Sequence, residues 1–487
     1  MESAVAAPLA MSPGVALFAG LTAIAGVLGV VAVLAGRVRP MTLALGFAGA
    51  AIQWGLAYVA MTGVGQWLGE VLFGLTVLVP AAVGWASGRW AGDRSGAVAS
   101  GLVSGFVNLL VVGPLIRGED ARAALPEAAL WTVGLLVGSA VLAAVGGSIG
   151  RRHPKPGVLP EPVCLFALVT ACTIFLLLIT GGLVTGLEAG LAVPDWPNSF
   201  GHNMLLYPVS EMKGGRYYEH AHRLFGMLVG LSAFTLAVLC WRHETRRGIR
   251  WAATALLAMV CLQGLMGGLR VTGSLTLSQD PSMLAPSTQL AIVHGVFGQV
   301  VFATAAWIAA ATSAAWLGPT AAVSGVDAAS IRLWSLAAPL VLLMQLFLGA
   351  AYRHLQVPPT AVGEAIRHPT WAMHGHLGFS VVALVVVLIA ASRMSAAGRA
   401  GVTPLARCAS TMAIVVAVQV GLGLIALGAV LMRRGPAIPL WELVPTSAHQ
   451  ATGALLLMAA VQGAAWSRRL LPAPVGAAAL TPSVAKA

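Results

Sequence analysis

Blocks of about twenty apolar residues, the length that crosses hydrocarbon as α-helix, follow one another along the chain with short polar breaks between them. The pattern predicts about thirteen transmembrane helices, near residues 14–36, 41–61, 66–87, 97–116, 127–149, 163–182, 218–240, 251–268, 289–315, 333–351, 370–391, 408–431 and 446–466. The expected fold class is all-α, a polytopic membrane protein. The first span is too long, and too closely followed by the second, to read as a cleaved signal peptide. It is expected to be retained, with the N-terminus outside.

The polar breaks are uneven. Arg151-Arg152-His153-Pro154-Lys155-Pro156-Gly157 is the clearest linker, basic and rich in Pro and Gly. Before it, five spans carry almost no polar interior apart from Asn108 and the interfacial Glu70. After it, eight spans carry nearly all the histidine. Two membrane domains are expected: residues 1–157, in which no motif states a role, and residues 158–487.

The second domain repeats internally. Its odd-numbered helices end in Gly-rich phrases, Gly181-Gly-Leu-Val-Thr-Gly186 and Gly267-Gly-Leu-Arg-Val-Thr-Gly273, with Gly349-Ala350 and Gly423 in similar positions. Three of them also carry Gln, three residues, Gly, at Gln263/Gly267, Gln345/Gly349 and Gln419/Gly423. The even-numbered helices open with His, three residues, Gly: His222 with Gly226, His294 with Gly298, His374 with Gly378 and His449 with Gly453. These histidines lie 72, 80 and 75 residues apart, the length of a helix pair with its loops. Four copies of one hairpin would make two four-helix bundles related by a pseudo-two-fold axis.

Composition agrees with the spans. The 487 residues are 58% hydrophobic and 9% charged, with mean hydropathy +0.87, more apolar surface than a soluble domain needs. The net charge of +12 could suggest nucleic acid, but its placement suggests topology instead. Sorted by the expected spans, 18 Lys and Arg fall on one side and 10 on the other. The rich side, with Arg37, Arg89, Arg151, Arg246, Arg393 and Arg468 among others, is cytoplasmic by the positive-inside rule. The C-terminus is then cytoplasmic, the partner is the lipid bilayer, and no nucleic-acid partner is implied. Cys164, Cys172, Cys240, Cys261 and Cys408 all lie within or at the ends of spans, without a Cys-x-x-Cys. Neither a disulfide framework nor a covalently attached heme is supported.

Ionisable side chains inside membrane helices are costly and usually functional. The four repeat histidines are expected about one turn inside the outer ends of their helices, which suggests two side-by-side sites. Each would be an iron site in which two histidines ligate one heme, with His222 paired to His294 and His374 to His449. Zinc or copper is the competing reading, but no compact thiolate or carboxylate cluster accompanies the histidines. Gly226, Gly298, Gly378 and Gly453 would clear space beneath a flat ligand; generic small-residue packing is the alternative. Glu219 precedes His222 by three residues on the same face, whereas Ala291, Trp371 and Thr446 occupy the corresponding places. That points to chemistry at the first site, although a plain interfacial carboxylate would read the same. Arg270 and Arg353 are candidates for heme propionates, or are ordinary loop arginines. His220, His354, His368 and His376 break the repeat register and receive no role.

These residues resemble the heme A synthase family. Residues 181–197, from Gly181-Gly-Leu-Val-Thr-Gly to Val193-Pro-Asp-Trp-Pro197, are similar to that family's first extracytoplasmic loop, and Glu219-x-x-His222-Arg223 to its catalytic-site motif. The likeness covers about residues 160–470. It implies an eight-helix catalytic domain that oxidises a methyl group of heme O to a formyl group, giving heme A for terminal oxidases. It also implies that His222 and His294 hold the substrate heme, that Glu219 aids catalysis, and that His374 and His449 hold a permanent heme b. Arg223 is then a further propionate or neighbouring-shell candidate. Molecular oxygen and an external electron donor would be required. Heme O synthase, terminal oxidase assembly proteins and a second copy of the chain are the protein partners this role suggests. Two departures stand out. Where some members carry a cysteine pair, this chain has Val193 and Ser199, so a thiol-dependent step is not expected; and residues 1–157 lie outside the family pattern.

Two other readings compete. A di-heme electron-transfer cytochrome would keep the hemes without the chemistry, and gains nothing from a carboxylate at one site only. A multi-span transporter would share the spans and repeats, but paired charges at mid-membrane depth are lacking.

Overall fold

The computed structural model describes residue 35 and residues 37–62, 65–92, 94–111, 121–155, 157–272, 288–319 and 325–471. The first expected span lies outside the described residues. The other twelve are helices: α1 Pro40–Met61, α2 Gln66–Ala86, α3 Arg94–Asn108, α4 Ala121–Gly150, α5 Pro162–Gly186, α6 Gly215–His243, α7 Arg247–Thr272, α8 Thr288–Ala311, α9 Ala328–His354, α10 Thr370–Arg399, α11 Thr403–Met432 and α12 Leu440–Leu470. Among the described residues ten apolar helical stretches are long enough to cross a membrane; α3 and α12 fall short of that test, α3 in length. Proline at the first turns of α1, α5 and α11 supplies a pre-set φ where no backbone N–H is needed. Among the described residues the extended backbone pairs only as isolated bridges, at Ser199–His202, Val357–Arg367 and Ala365–Arg434. The chain is an all-α polytopic membrane protein.

The helices divide into two compact units. The first holds α1–α7. Glycine lets α2 and α4 meet backbone to backbone: a Cβ on Gly146 would lie 1.9 Å from the Ala81 carbonyl oxygen, and one on Gly84 2.0 Å from that of Ala143. Helix α1 in turn packs on α3, α5 and α6. The linker around residue 157 therefore lies inside a compact unit, rather than marking its edge.

The second unit holds α8 to Ala310 and α9–α12. Its core is Leu342 and Ala338 from α9, Met394 from α10, Met412 from α11 and Leu457 from α12, with Ala303 of α8 packed among them. Gln462 of α12 donates to the Ala306 carbonyl of α8 at 2.6 Å, a polar tie where hydrocarbon offers no competing water.

Candidate functional site

In the first unit the site is built at the start of α6. Glu219 is 4% exposed and both its oxygens are engaged. Oε2 accepts the Val193 N–H at 2.8 Å, and Oε1 pairs with Arg223 one turn later, also at 2.8 Å. Arg223 spends its terminal N–H groups on four acceptors: Glu219, and the carbonyls of Val193 (2.8 Å), Asp195 (2.7 Å) and Asn198 (3.0 Å). Each terminal nitrogen carries two hydrogens, so all four are spent on the loop and Glu219, and only the Nε–H is left for a further acceptor. Arg223 is a clasp that fixes the loop between α5 and α6 over the helix end.

The loop is pinned at further points. Asp195 accepts from the backbone N–H of Phe200 (2.7 Å) and Gly201 (2.8 Å). That holds Phe200 at φ 51°, a left-handed conformation costly for an aromatic residue. Trp196 fills a notch left by Gly268 of α7, where a Cβ would come within 2.3 Å of the indole. Val193 and Ser199 are both fully buried, and Ser199 Oγ lies 3.1 Å from His220 Nδ1. At the two positions where a cysteine pair was considered, this chain instead supplies a backbone donor to Glu219 and a hydroxyl to His220.

His222 faces α5. A Cβ on Gly181 would lie 2.8 Å from His222 Cε1, so only glycine admits the ring. Thr180 Oγ1 gives its one proton to the Leu177 carbonyl (2.9 Å), leaving lone pairs toward His222 Nδ1 at 3.0 Å. Thr180 therefore orients the His222 ring through Nδ1. Arg270 of α7 lies over the Gly190 backbone and within electrostatic reach of Glu219, and its buried Nε lacks a hydrogen bond. An anionic group would complete it.

In the second unit the same device occurs twice, and it shifts one expected residue. A Cβ on Gly349 would lie 2.8 Å from Cε1 of His376, not of His374; on Gly423, 2.9 Å from Cε1 of His449. His376 Nδ1 faces the Gln345 carbonyl and His449 Nδ1 the Gln419 carbonyl, each at 3.2 Å. Gln345 Nε2 also lies 3.1 Å from His376 Nδ1 and Gln419 Nε2 3.5 Å from His449 Nε2, so the backbone and side-chain amide of one glutamine on the preceding helix orient each ring. The two ring centroids are 6.3 Å apart with planes at 88°. A metal–imidazole bond of about 2 Å and a ring radius of about 1.1 Å put two rings on one metal roughly 6.2 Å apart. His374 is exposed. His374-Gly-His376 offers two histidines: the four-residue spacing to Gly378 favours the first, while the Gly349 notch receives the second. With His376, the repeats run 222 to 376 and 294 to 449, 154 and 155 residues, which is more regular than with His374.

Tyr352 stacks on His376 (6.5 Å between centroids, 17°), and its hydroxyl lies 3.2 Å from His368 Nδ1. Arg353 donates to Gln356 at 3.1 Å. His294 is half-buried on α8, and a Cβ on the next residue, Gly295, would lie 4.0 Å from His354 Nε2. Gly226 and Gly378 face open space, where an added Cβ meets nothing within 4 Å; a Cβ on Gly453 would lie 3.2 Å from Gln419 Nε2. One pair escaped the sequence reading. Arg433 and Glu442, 2% and 4% exposed, form an ion pair at 3.3 Å. Glu442 stands in the first turn of α12, two turns before His449 and so outside the Glu-x-x-His spacing.

One pair of imidazoles at single-metal spacing, glycines facing open space and a buried arginine Nε without a hydrogen bond among the described residues together suit a flat, anionic metal ligand such as heme. They define a polytopic membrane protein with histidine-lined sites inside its helices. The chain belongs to the COX15-CtaA family of cytochrome oxidase assembly proteins, whose model matches residues 164–461. It is 24% identical over 197 residues to a heme A synthase of Beijerinckia indica subsp. indica, covering 35% of this chain and 53% of that one. It is 26% identical over 159 residues to a heme A synthase of Caulobacter vibrioides (27% and 46%), and 30% identical over 141 residues to human heme A synthase COX15 (23% and 34%). The aligned part spans about half or less of each relative's length.

Proposed function

We propose that the protein is a heme A synthase-type oxidoreductase, converting a methyl group of heme O to the formyl group of heme A. The observation that carries this reading is the buried Glu219, one turn from His222 and held by Arg223 and the Val193 N–H. In this reading His222 and His294 hold the substrate heme, a pairing carried by sequence and resemblance, since the two residues belong to different units. His376, in place of His374, and His449 hold a resident heme b. Arg270 meets a propionate of the substrate heme, and Arg353 one of the resident heme. The bound iron would supply oxygen activation at one site and electron transfer at the other, with molecular oxygen and an external reductant consumed.

The chain's own residues do the rest. Thr180 orients the His222 ring so that Nε2 faces its metal. Arg223 holds Glu219 in place, and the remaining carboxylate lone pairs can take a proton near the reacting methyl group. The loop clasped by Arg223 keeps water from the site. The histidine end faces the extracytoplasmic side of the cytoplasmic membrane, following the positive-inside bias. A di-heme electron carrier is the second reading, and the Arg433–Glu442 pair favours it, because each unit then has a buried acid. Glu442, however, lies two turns from His449, where Glu219 lies one turn from His222.

Expression in cells that make heme O but no heme A tests the proposal. Heme A is expected in their membranes with the wild-type protein and not with Glu219→Ala. Heme O left unmodified by the wild type would count against it.

A further inference from the structure

Asn108 is a polar residue with no partner obvious in sequence, deep in the helices that precede the family match. Its surroundings run toward the candidate site. Asn108 Oδ1 accepts Trp54 Nε1–H at 2.9 Å, and its Nδ2 donates to Gln53 Oε1 at 2.8 Å. The same oxygen accepts Ser104 Oγ–H at 2.9 Å, while Gln53 Nε2 donates to the Thr76 carbonyl at 3.0 Å. This network joins α1, α2 and α3. In a medium without water it is costly to break, because each lost partner strands a buried polar group.

The network locks Trp54, and Trp54 meets α6. Its ring packs edge-on against Phe225 at 5.6 Å. One turn further along α1, Tyr58 stacks on Tyr217 (5.5 Å, 22°) and meets Phe225 edge-on at 5.7 Å. Tyr217 Oη donates to the Tyr58 carbonyl at 2.6 Å. Successive residues on a helix turn by about 100°. With Tyr217 at 0°, Phe225 lies at about 80°, His222 at about 140°, Glu219 at about 200° and Arg223 at about 240°, so Glu219 and Arg223 lie opposite the α1 contact and His222 on its flank. Helix α1 thus holds α6 along the same turns that carry Glu219, His222 and Arg223.

We infer that α1, braced by the Gln53–Asn108–Trp54 network, is a positioning wall for α6, setting the depth and rotation at which His222 and Glu219 are presented. The domain that precedes the family match is then part of the first site's machinery, with Trp54 and Tyr58 as positioning residues. The inference rests on the proposed heme ligation by His222.

The test uses the full-length protein loaded with both hemes. The heme between His376 and His449 lies in the other unit and serves as an internal control for folding. Three variants are compared with wild type: Trp54→Ala, Trp54→Phe, which keeps an edge for Phe225, and Tyr217→Phe, which deletes one hydrogen bond. Retention of each heme is followed by extraction, and its axial geometry by electron paramagnetic resonance. Trp54→Ala is expected to lower retention at the first site about tenfold, the scale of one lost aromatic contact, and to shift that site's signal. The second heme should stay unchanged, and Trp54→Phe should restore most of the loss. Both hemes unchanged in Trp54→Ala, or both lost in parallel, would overturn the inference. A wild-type protein without first-site heme would instead refute the ligation on which it rests.

Discussion

At the residue scale, what matters is which nitrogen of each histidine is spoken for. Thr180 Oγ1 lies 3.0 Å from His222 Nδ1, and the Gln345 and Gln419 carbonyls lie 3.2 Å from Nδ1 of His376 and His449, so each ring is held by the helix before its own. Such partners fix ring orientation. His376→Ala should therefore remove the second heme, while His374→Ala should keep it, as read by heme content and the low-spin signal. The clasp makes a separate prediction. Arg223→Ala leaves Glu219 buried without its counter-charge, which costs about 3 kcal/mol. Hydrogen exchange should rise across residues 190–203 while the second heme stays in place; unchanged exchange would show that the loop holds without Arg223. Sequence revealed the Glu219 motif because one helix carries it whole. It hid the choice between His374 and His376, because that depends on a glycine of the preceding helix. It also hid Arg433–Glu442, whose members come from two sides of a loop.

At the element scale the repeated unit is a glycine on one helix receiving a histidine from the next. Gly181, Gly349 and Gly423 do this, each with too little room for a Cβ. The sequence showed these glycines as a repeat, yet the ones it tied to the ligand were those following the histidines. Gly226 and Gly378 face open space, as a glycine that clears room for a flat ligand would. The two classes should respond oppositely. Gly349→Ala pushes the His376 ring and should weaken or distort the second heme's ligation. In the heme-free protein, Gly378→Ala should be neutral or stabilising by up to about 1 kcal/mol, since alanine is the better helix former. If that gain turns into a loss when heme is loaded, the open space is where the flat ligand lies; thermal melts with and without heme decide. Helix positions themselves were easily read, because apolar length is a direct physical requirement of the bilayer.

At the scale of the whole molecule, the basic linker at residues 151–157 suggested a boundary, and composition changes sharply across it. Packing follows different rules. Small residues let α2 and α4 touch, and the aromatic side chains of α1 reach α6, so the preceding helices and α5–α7 form one compact unit. Sequence marks where polarity changes, but which surfaces are complementary depends on side chains far apart in the chain. The protein is proposed to hold two unequal hemes, one resident and one being converted. Mass identification of hemes extracted from the purified protein, produced in cells that supply heme O, tests it most directly. Heme b is expected together with heme A or its hydroxylated precursor, with only heme b and unconverted heme O in Glu219→Ala. Heme b alone in the wild type, despite available heme O, would contradict it.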